Sequence, residues 1–222
     1  MPDIVRLSRC KYWSLRAPEF WGDYGAMLAG GMLVGGDRDP EKPVLMRVGP
    51  FCPPISRTLY SLVATSVFAE RIAQRFSDVE LVPIVKGKIV DLRWETWDRT
   101  CPRPPLLPCT GEPEDYIELL PHSQSASAEM GDLYEVVPPD GGACGLVQEG
   151  RVLYTELDLG SLTKYSLFSV NRGNSTVSDL IVSDDARSWF EGEAAGWLDY
   201  RIVKFRRAWR RSSGSRFPRA RT

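Results

Sequence analysis

The chain carries one histidine, His122, in 222 residues. That count excludes a metal cluster built on several imidazoles, and it leaves imidazole acid-base chemistry to one residue in the run LLPHSQSAS. Cysteine is sparse and has no paired pattern. Cys10, Cys52, Cys101, Cys109 and Cys144 contain no C-x-x-C spacing, so neither a disulfide framework nor a zinc knuckle is present and reduced thiols are expected. Long apolar runs are missing too: MPDIVRLSRCKYWSLRAP lacks the apolar core of a signal peptide, and AMLAGGMLVGG is too short and glycine-rich to span a bilayer. The glycines of GAMLAGGMLVGG are not followed by G-K-S/T and do not fall at G-x-G-x-x-G spacing, which argues against a phosphate cradle and for packing or turn roles. These absences predict a cytoplasmic protein with no membrane segment and no cofactor.

Charge of one sign is missing from two regions. Between Pro104 and Gly150 there is no Lys or Arg, whereas Glu112, Glu114, Asp115, Glu118, Glu129, Asp132, Glu135, Asp140 and Glu149 supply nine acids. From Arg201 to Thr222 there is no acid, whereas Arg201, Lys204, Arg206, Arg207, Arg210, Arg211, Arg216, Arg219 and Arg221 supply nine bases. The net charge of -1 hides this polarity. Each run is a solvated face, pairs with the other inside the fold, or meets a partner of opposite charge.

What is present reads as alternating helix and strand. Ile4 to Leu15 suits a strand, APEFWGDYG a turn-rich loop and VLMRVG a strand. From Ser56 to Phe76, apolar residues recur at three- and four-residue steps through Leu59, Leu62, Val63, Val67, Ile72 and Phe76, predicting an amphipathic helix. VELVPIV and KIVDLRW around Lys86-Gly87-Lys88 predict a hairpin, with Pro83 at an edge or bulge. In its second strand Ile89, Asp91 and Arg93 alternate with Val90, Leu92 and Trp94, predicting one buried face and one wet face, with Trp94 in the core. DRTCPRPPLLPCTGEPEDY is proline-dense and predicts an extended connector, and long loops follow it. RVLYTELDLG and YSLFSV restore strand character. DLIVS then leads into a helix capped by Ser183 or Asp184, and LDYRIVKF returns as a strand.

The expected fold is α+β: a twisted mixed or antiparallel sheet with two main amphipathic helices packed on it, and a helix-strand unit used twice, each helix introduced by a serine in PPIS or LIVS. It forms a single domain over residues 1–205, with an acidic loop-rich region at 100–150, followed by a basic tail at 206–222 expected to be flexible.

The I-V-S strand end, the amphipathic helix of about a dozen residues and the alternating strand DVELVPIV resemble immunity proteins of bacterial polymorphic toxin systems, those encoded beside Rhs, type VI or contact-dependent effectors. The resemblance covers Pro54 to Trp97 and Ser178 to Phe205. The paired C-x-x-C motifs of one group of such proteins are absent, so no metal site follows from it. It implies a protein that binds a cognate toxin domain and neutralises it by occlusion. On that reading an acidic surface of Glu112, Glu114, Asp115, Glu118, Glu129, Asp132 and Glu135 docks a basic toxin face, with Trp21, Tyr116 and Trp97 as exposed aromatic anchors. Glu95 and Asp98 stand beside them as further contacts.

Three other readings compete. His122 with Ser123 or Ser125 is a conceivable nucleophile and base, but without the G-x-S-x-G context. Arg172, Asn174 to Thr176 (NST) and Glu191 with Glu193 (EGE) follow the order seen in ADP-ribosyltransferases of the arginine, serine, glutamate type, with Val177 where the third serine belongs and the glutamates in a predicted helix. The tail KFRRAWRRSSGSRFPRART interleaves Arg with Trp209 and Phe217, a pattern fit for phosphates and bases; the acidic middle of the chain argues against it.

Overall fold

The computed structural model describes residues 11–34, 42–58, 61–143, 146–149, 152–155, 165–171 and 178–205. In chain order the elements are β1 (Tyr12–Arg16), α1 (Asp23–Gly30), β2 (Met32–Val34), β3 (Val44–Gly49), β4 (Ile55–Arg57), β5 (Leu62–Thr65), α2 (Ser66–Arg75), β6 (Glu80–Pro83) and β7 (Val85–Asp91). A 3-10 turn at Trp94–Thr96 precedes α3 (Asp115–Glu118), α4 (Gln124–Glu129), β8 (Leu133–Val137), β9 (Asp140–Ala143), β10 (Leu146–Glu149) and β11 (Val152–Thr155). The chain closes with β12 (Leu167–Asn171), β13 (Ser178–Ser183), α5 (Asp184–Glu193) and β14 (Asp199–Phe205). The start of the first expected strand, the tail at 206–222, and Arg172 with Asn174 to Thr176 lie outside the described residues.

The strands form a seven-stranded sheet in the order β10-β11-β14-β1-β13-β12-β9, a three-stranded sheet β2-β3-β7 and a four-stranded sheet β4-β5-β8-β6. Parallel and antiparallel pairs are mixed, and helices pack on the sheets, so the fold is α+β as the residue pattern predicted.

The repeated unit is more extensive than a helix and a strand. β5 is antiparallel to β4 on one side and to β8 on the other, and β6 lies beyond β8, so β5 and β6 run parallel with β8 between them. β13 is antiparallel to β12 and to β1, and β14 lies beyond β1, which gives the same order, β12-β13-β1-β14. Each unit is a hairpin, a helix and a returning strand, with a third antiparallel strand inserted between the two parallel ones. In one unit that strand comes later in the chain; in the other it is β1.

The two helices meet in one apolar cluster that joins both units. Phe68, Ala69 and Ile72 of α2, with Phe76 just beyond it, and Ala186 and Phe190 of α5 share it with Leu15, Leu180 and Val182 of the seven-stranded sheet and Ile55, Leu62, Ala64 and Val136 of the four-stranded sheet. The Phe76 ring lies 5.3 Å from Trp189 and 5.6 Å from Phe190, centroid to centroid. Arg71 pairs with Glu193 and Arg75 with Asp185, so the helices run antiparallel along this contact. Ser183 is the α5 cap: its Oγ accepts from the Ala186 N–H at 3.2 Å, with Asp184 and Asp185 in the positive first turn.

Two local expectations are corrected. The helix does not begin near Ser56. Residues 55–57 and 62–65 are a hairpin, with Ile55 opposite Ala64 and Arg57 opposite Leu62, and α2 starts at Ser66 after Thr65 in extended geometry. Both faces of β5 are buried, so its continuous apolar run imitated helical spacing, and Ser56 of PPIS sits in a strand rather than at a cap. The second correction concerns Lys86-Gly87-Lys88, which is not a turn. β6 pairs with β8, whereas β7 pairs parallel with β3, so Pro83 and Ile84 carry the chain from one sheet to another. Lys86 lies opposite Leu45 and Lys88 opposite Met46, leaving Gly87 as the extra residue of a bulge. A Cβ on Gly87 would come within 2.6 Å of Val44 Cγ1. Trp94 is fully buried, as expected; Ile89 and Val90 are both buried because β7 lies between two apolar clusters, so the predicted wet face begins only at Asp91.

Candidate protein-docking surface

Between β7 and α4 the chain leaves the three-stranded sheet for an excursion, residues 93–122, that carries the proline-dense run and, in Glu112, Glu114, Asp115 and Glu118, four of the nine acids of the acidic region. Its backbone is largely irregular because the prolines remove N–H donors, and side chains from the body supply the bonds instead. Trp94 anchors its start, packed against Phe51 at 5.4 Å, Trp197 at 6.0 Å and Phe20 at 6.3 Å between ring centroids. Trp21 Nε1 donates to the Cys101 carbonyl at 3.0 Å, and the Tyr24 hydroxyl donates to the Gly111 carbonyl. Within the excursion the Tyr116 hydroxyl donates to the Leu106 carbonyl. Burial, with a smaller contribution from Tyr24, pushes the Tyr116 phenol up to about 12, so it remains a donor at neutral pH. The Arg99 guanidinium lies 4.5 Å from the Trp197 ring centre and 5.6 Å from that of Phe20.

The return is fixed to β7. Lys88 Nζ donates to the Glu118 carbonyl at 2.9 Å, the Ser123 N–H donates to the Ile89 carbonyl at 2.7 Å, and the Ile89 N–H donates to His122 Nδ1 at 3.0 Å. The excursion is thus held at both ends and at intervals between them, despite having little regular structure.

Its outward side mixes acid with aliphatic surface. Leu106, Leu107, Leu119 and Leu120 are 53%, 41%, 59% and 36% exposed. Glu112 and Glu118 are exposed and make no ion pair among the described residues, while Glu114 and Asp115 are half-buried and Asp115 accepts from the Thr110 hydroxyl. Asp98 accepts from the Thr100 hydroxyl at 2.7 Å, the Thr100 N–H at 2.9 Å and the Cys101 thiol at 3.4 Å; these bonds hold its carboxyl below the ordinary range. A cleft of about 490 Å³ opens beside it, walled by Pro102, Pro104, Pro105 and Leu107, with Asp98, Cys101 and Arg103 supplying polar atoms.

Several expected contact residues do other work. Tyr116 and Trp21 are buried and pin the excursion from beneath, so neither is an exposed anchor; Trp97 is half-buried against them, 6.4 Å from Tyr116 and 5.9 Å from Trp21. Glu135 is buried on β8, where it accepts from the Ser61 hydroxyl, because its alternation along the strand turns it inward. Glu129 on α4 accepts from both terminal nitrogens of Arg93, at 2.8 and 2.9 Å, so its charge is already matched; Arg93 holds its carboxyl below the ordinary range. Asp132 is exposed ahead of β8, outside the excursion. Glu95 is exposed at the excursion's start. The leucines were missed, although PPLLP and IELLPH carried a signal: paired Leu residues beside proline have no periodic face along which to be buried.

The enzyme readings find structural roles for their residues. His122 bonds to a backbone N–H, and Ser123 caps α4 by accepting from the Ala126 N–H at 3.2 Å; neither Ser123 nor Ser125 bonds to His122. Glu191 pairs with Arg187 and Glu193 with Arg71, tying α5 to itself and to α2. Cys52 is a half-buried thiol whose pKa is raised by desolvation, with a smaller opposing effect from Arg47. Arg47, itself fully buried, donates to Cys52 Sγ at 3.0 Å, to the Ala29 carbonyl at the end of α1 at 3.0 Å and to the Val48 carbonyl at 3.2 Å, and so serves as a helix-end cap. Among the described residues no group of three His, Cys, Asp or Glu is placed to hold a metal ion, and no helix is long and apolar enough to cross a membrane.

No protein-family model, no curated protein and no solved structure matches this chain.

Proposed function

We propose that the chain acts by binding another protein through the excursion, and that the partner is a toxin domain that it neutralises by occlusion, as its resemblance to immunity proteins implies. The observation that carries the reading is a surface fixed by bonds from beneath that still presents acids and aliphatic side chains outward. Such preorganisation lowers the ordering cost of association, and the excess of acids over Arg93, Arg99 and Arg103 in the excursion speeds encounter with a basic face. The contact is built on Asp98, Glu112 and Glu118, with Glu95, Glu114, Asp115, Trp97 and Asp132 at its margins.

The test begins with the neighbouring gene: where it encodes a multidomain effector, the effector's C-terminal domain is co-expressed with this chain and scored by protection of the host cell and by binding of the purified pair, and a neighbourhood without an effector counts against the toxin reading. Glu112→Lys with Glu118→Lys should slow association by about tenfold or more at low salt, with a smaller effect at high salt. Full protection and unchanged association in that variant would reject the acidic face as the contact. Loss of protection with the charge-preserving Glu112→Asp and Glu118→Asp pair would place the effect outside electrostatics.

A further inference from the structure

We infer that the docking face has an apolar centre formed by Leu106 and Leu107 on one arm of the excursion and Leu119 and Leu120 on the other, and that it takes a basic protein surface carrying its own aliphatic patch. This rests on the binding reading above and specifies the partner's chemistry.

Exposure of four leucines within fifteen residues is not a by-product of a mobile backbone, because the arms that carry them are tied down. The Leu106 carbonyl accepts from Tyr116 one turn before Leu119, and the Glu118 carbonyl, next to Leu119, accepts from Lys88 of β7. Aliphatic groups that share one contiguous outward patch mark a surface that another molecule covers. Glu112 and Glu118 are exposed near these leucines in the chain with no ion pair among the described residues, so a covering surface of positive charge complements them. Charge then governs association and leucine burial governs dissociation. The cleft walled by Pro102, Pro104, Pro105 and Leu107, with Asp98 and Arg103 on its lining, extends the apolar area and suits the methylene stem of a long side chain.

The test uses the full chain and two helical peptides of equal length and equal positive charge, one with alanine and one with leucine on its apolar face. Association and dissociation are measured separately at about 50 and about 500 mM salt. The leucine peptide should dissociate at least about tenfold more slowly than the alanine peptide and retain binding at the higher salt. Leu106→Ser with Leu119→Ser should abolish that difference and leave association unchanged, whereas Glu112→Lys with Glu118→Lys should slow association of both peptides. Equal dissociation of the two peptides, or leucine variants that change nothing, would overturn the inference while leaving the acidic face standing if charge reversal still slows association. A dimer in sedimentation that the leucine substitutions dissolve would also overturn it, by assigning the patch to a second copy. Unchanged thermal unfolding of each variant shows that the fold is intact.

Discussion

The Ile89 N–H donates to Nδ1 of His122, and the Ile89 carbonyl accepts from the N–H of Ser123. Two groups that a neighbouring strand would satisfy are satisfied instead by one side chain and one loop amide, which closes this part of the free edge of β7. The edge is therefore poorly suited to strand addition by another chain, and the only imidazole in the sequence has a structural task.

Replacing His122 by Ala removes the acceptor for a partly buried amide. The expected loss is about 1 kcal/mol, and at most about 3, because leaving a buried donor unmet costs its desolvation. Hydrogen exchange at the Ile89 amide should accelerate well beyond the change in global stability. An exchange rate equal to wild type would show that the bond is not made in solution.

Trp94 has an indole N–H that is buried with no hydrogen-bond partner among the described residues. Trp94→Phe keeps an aromatic ring against Phe51 and Trp197 while deleting that donor, so it should cost no more than about 1.5 kcal/mol; Trp94→Ala should cost about 3–5 kcal/mol through the cavity it leaves. Urea unfolding of both variants measures the contrast, and equal losses would contradict it.

The antiparallel helices are joined both by charges and by rings, and the two contributions should differ in size. Arg71 is 47% and Glu193 29% exposed, so a double-mutant cycle on that pair should give a coupling below about 1 kcal/mol. Phe76→Ala should cost about 3–5 kcal/mol, because its ring sits against Trp189 and Phe190. A coupling larger than the Phe76 loss would transfer the role of holding the helices to the ion pairs.

Burial raises the Asp199 carboxyl above its ordinary value; the Glu19 N–H that it accepts partly offsets this, and the Glu19 charge adds to it. An acid whose pKa is raised on folding holds its proton more tightly in the folded chain, so in that window the unfolded chain binds fewer protons and stability falls as pH rises. Asp199→Asn keeps an acceptor for the Glu19 amide and should flatten the fall of stability that begins as pH rises above the ordinary carboxylate range. A steeper profile in the Asn variant would reverse the assignment. The effect is small because the carboxyl is partly solvated.

The parts of the fold legible in the sequence are those fixed by near neighbours. Ser183 with Asp184 and Asp185 announced a helix start, and the alternation before Trp94 placed that ring in the core. The misread parts depended on distant partners. Leu62 to Thr65 looked helical because burial on both faces erases the two-residue alternation, and only pairing with β4 and β8 reveals the strand. Lys86-Gly87-Lys88 looked like a turn because glycine marks turns and bulges alike, and the bulge exists only against β3. At the surface, acid count was legible but availability was not. Glu135 and Glu129 have the same composition signature as Glu112, and only three-dimensional neighbours, Ser61 for one and Arg93 for the other, remove them from the docking face.

The inserted strand of each repeated unit sets a timetable for synthesis. The four-stranded sheet draws on β4, β5, β6 and β8, so all its strands exist once Val137 has been made. The seven-stranded sheet places β1 between β13 and β14, with Tyr12 opposite both Ser183 and Val203, so β1 must wait for two strands made much later. Because Ile55, Leu62 and Val136 of the four-stranded sheet share their apolar cluster with Leu15, Leu180 and Phe190, the strands made early reach full burial only when β1 closes between β13 and β14, a contact of high sequence separation.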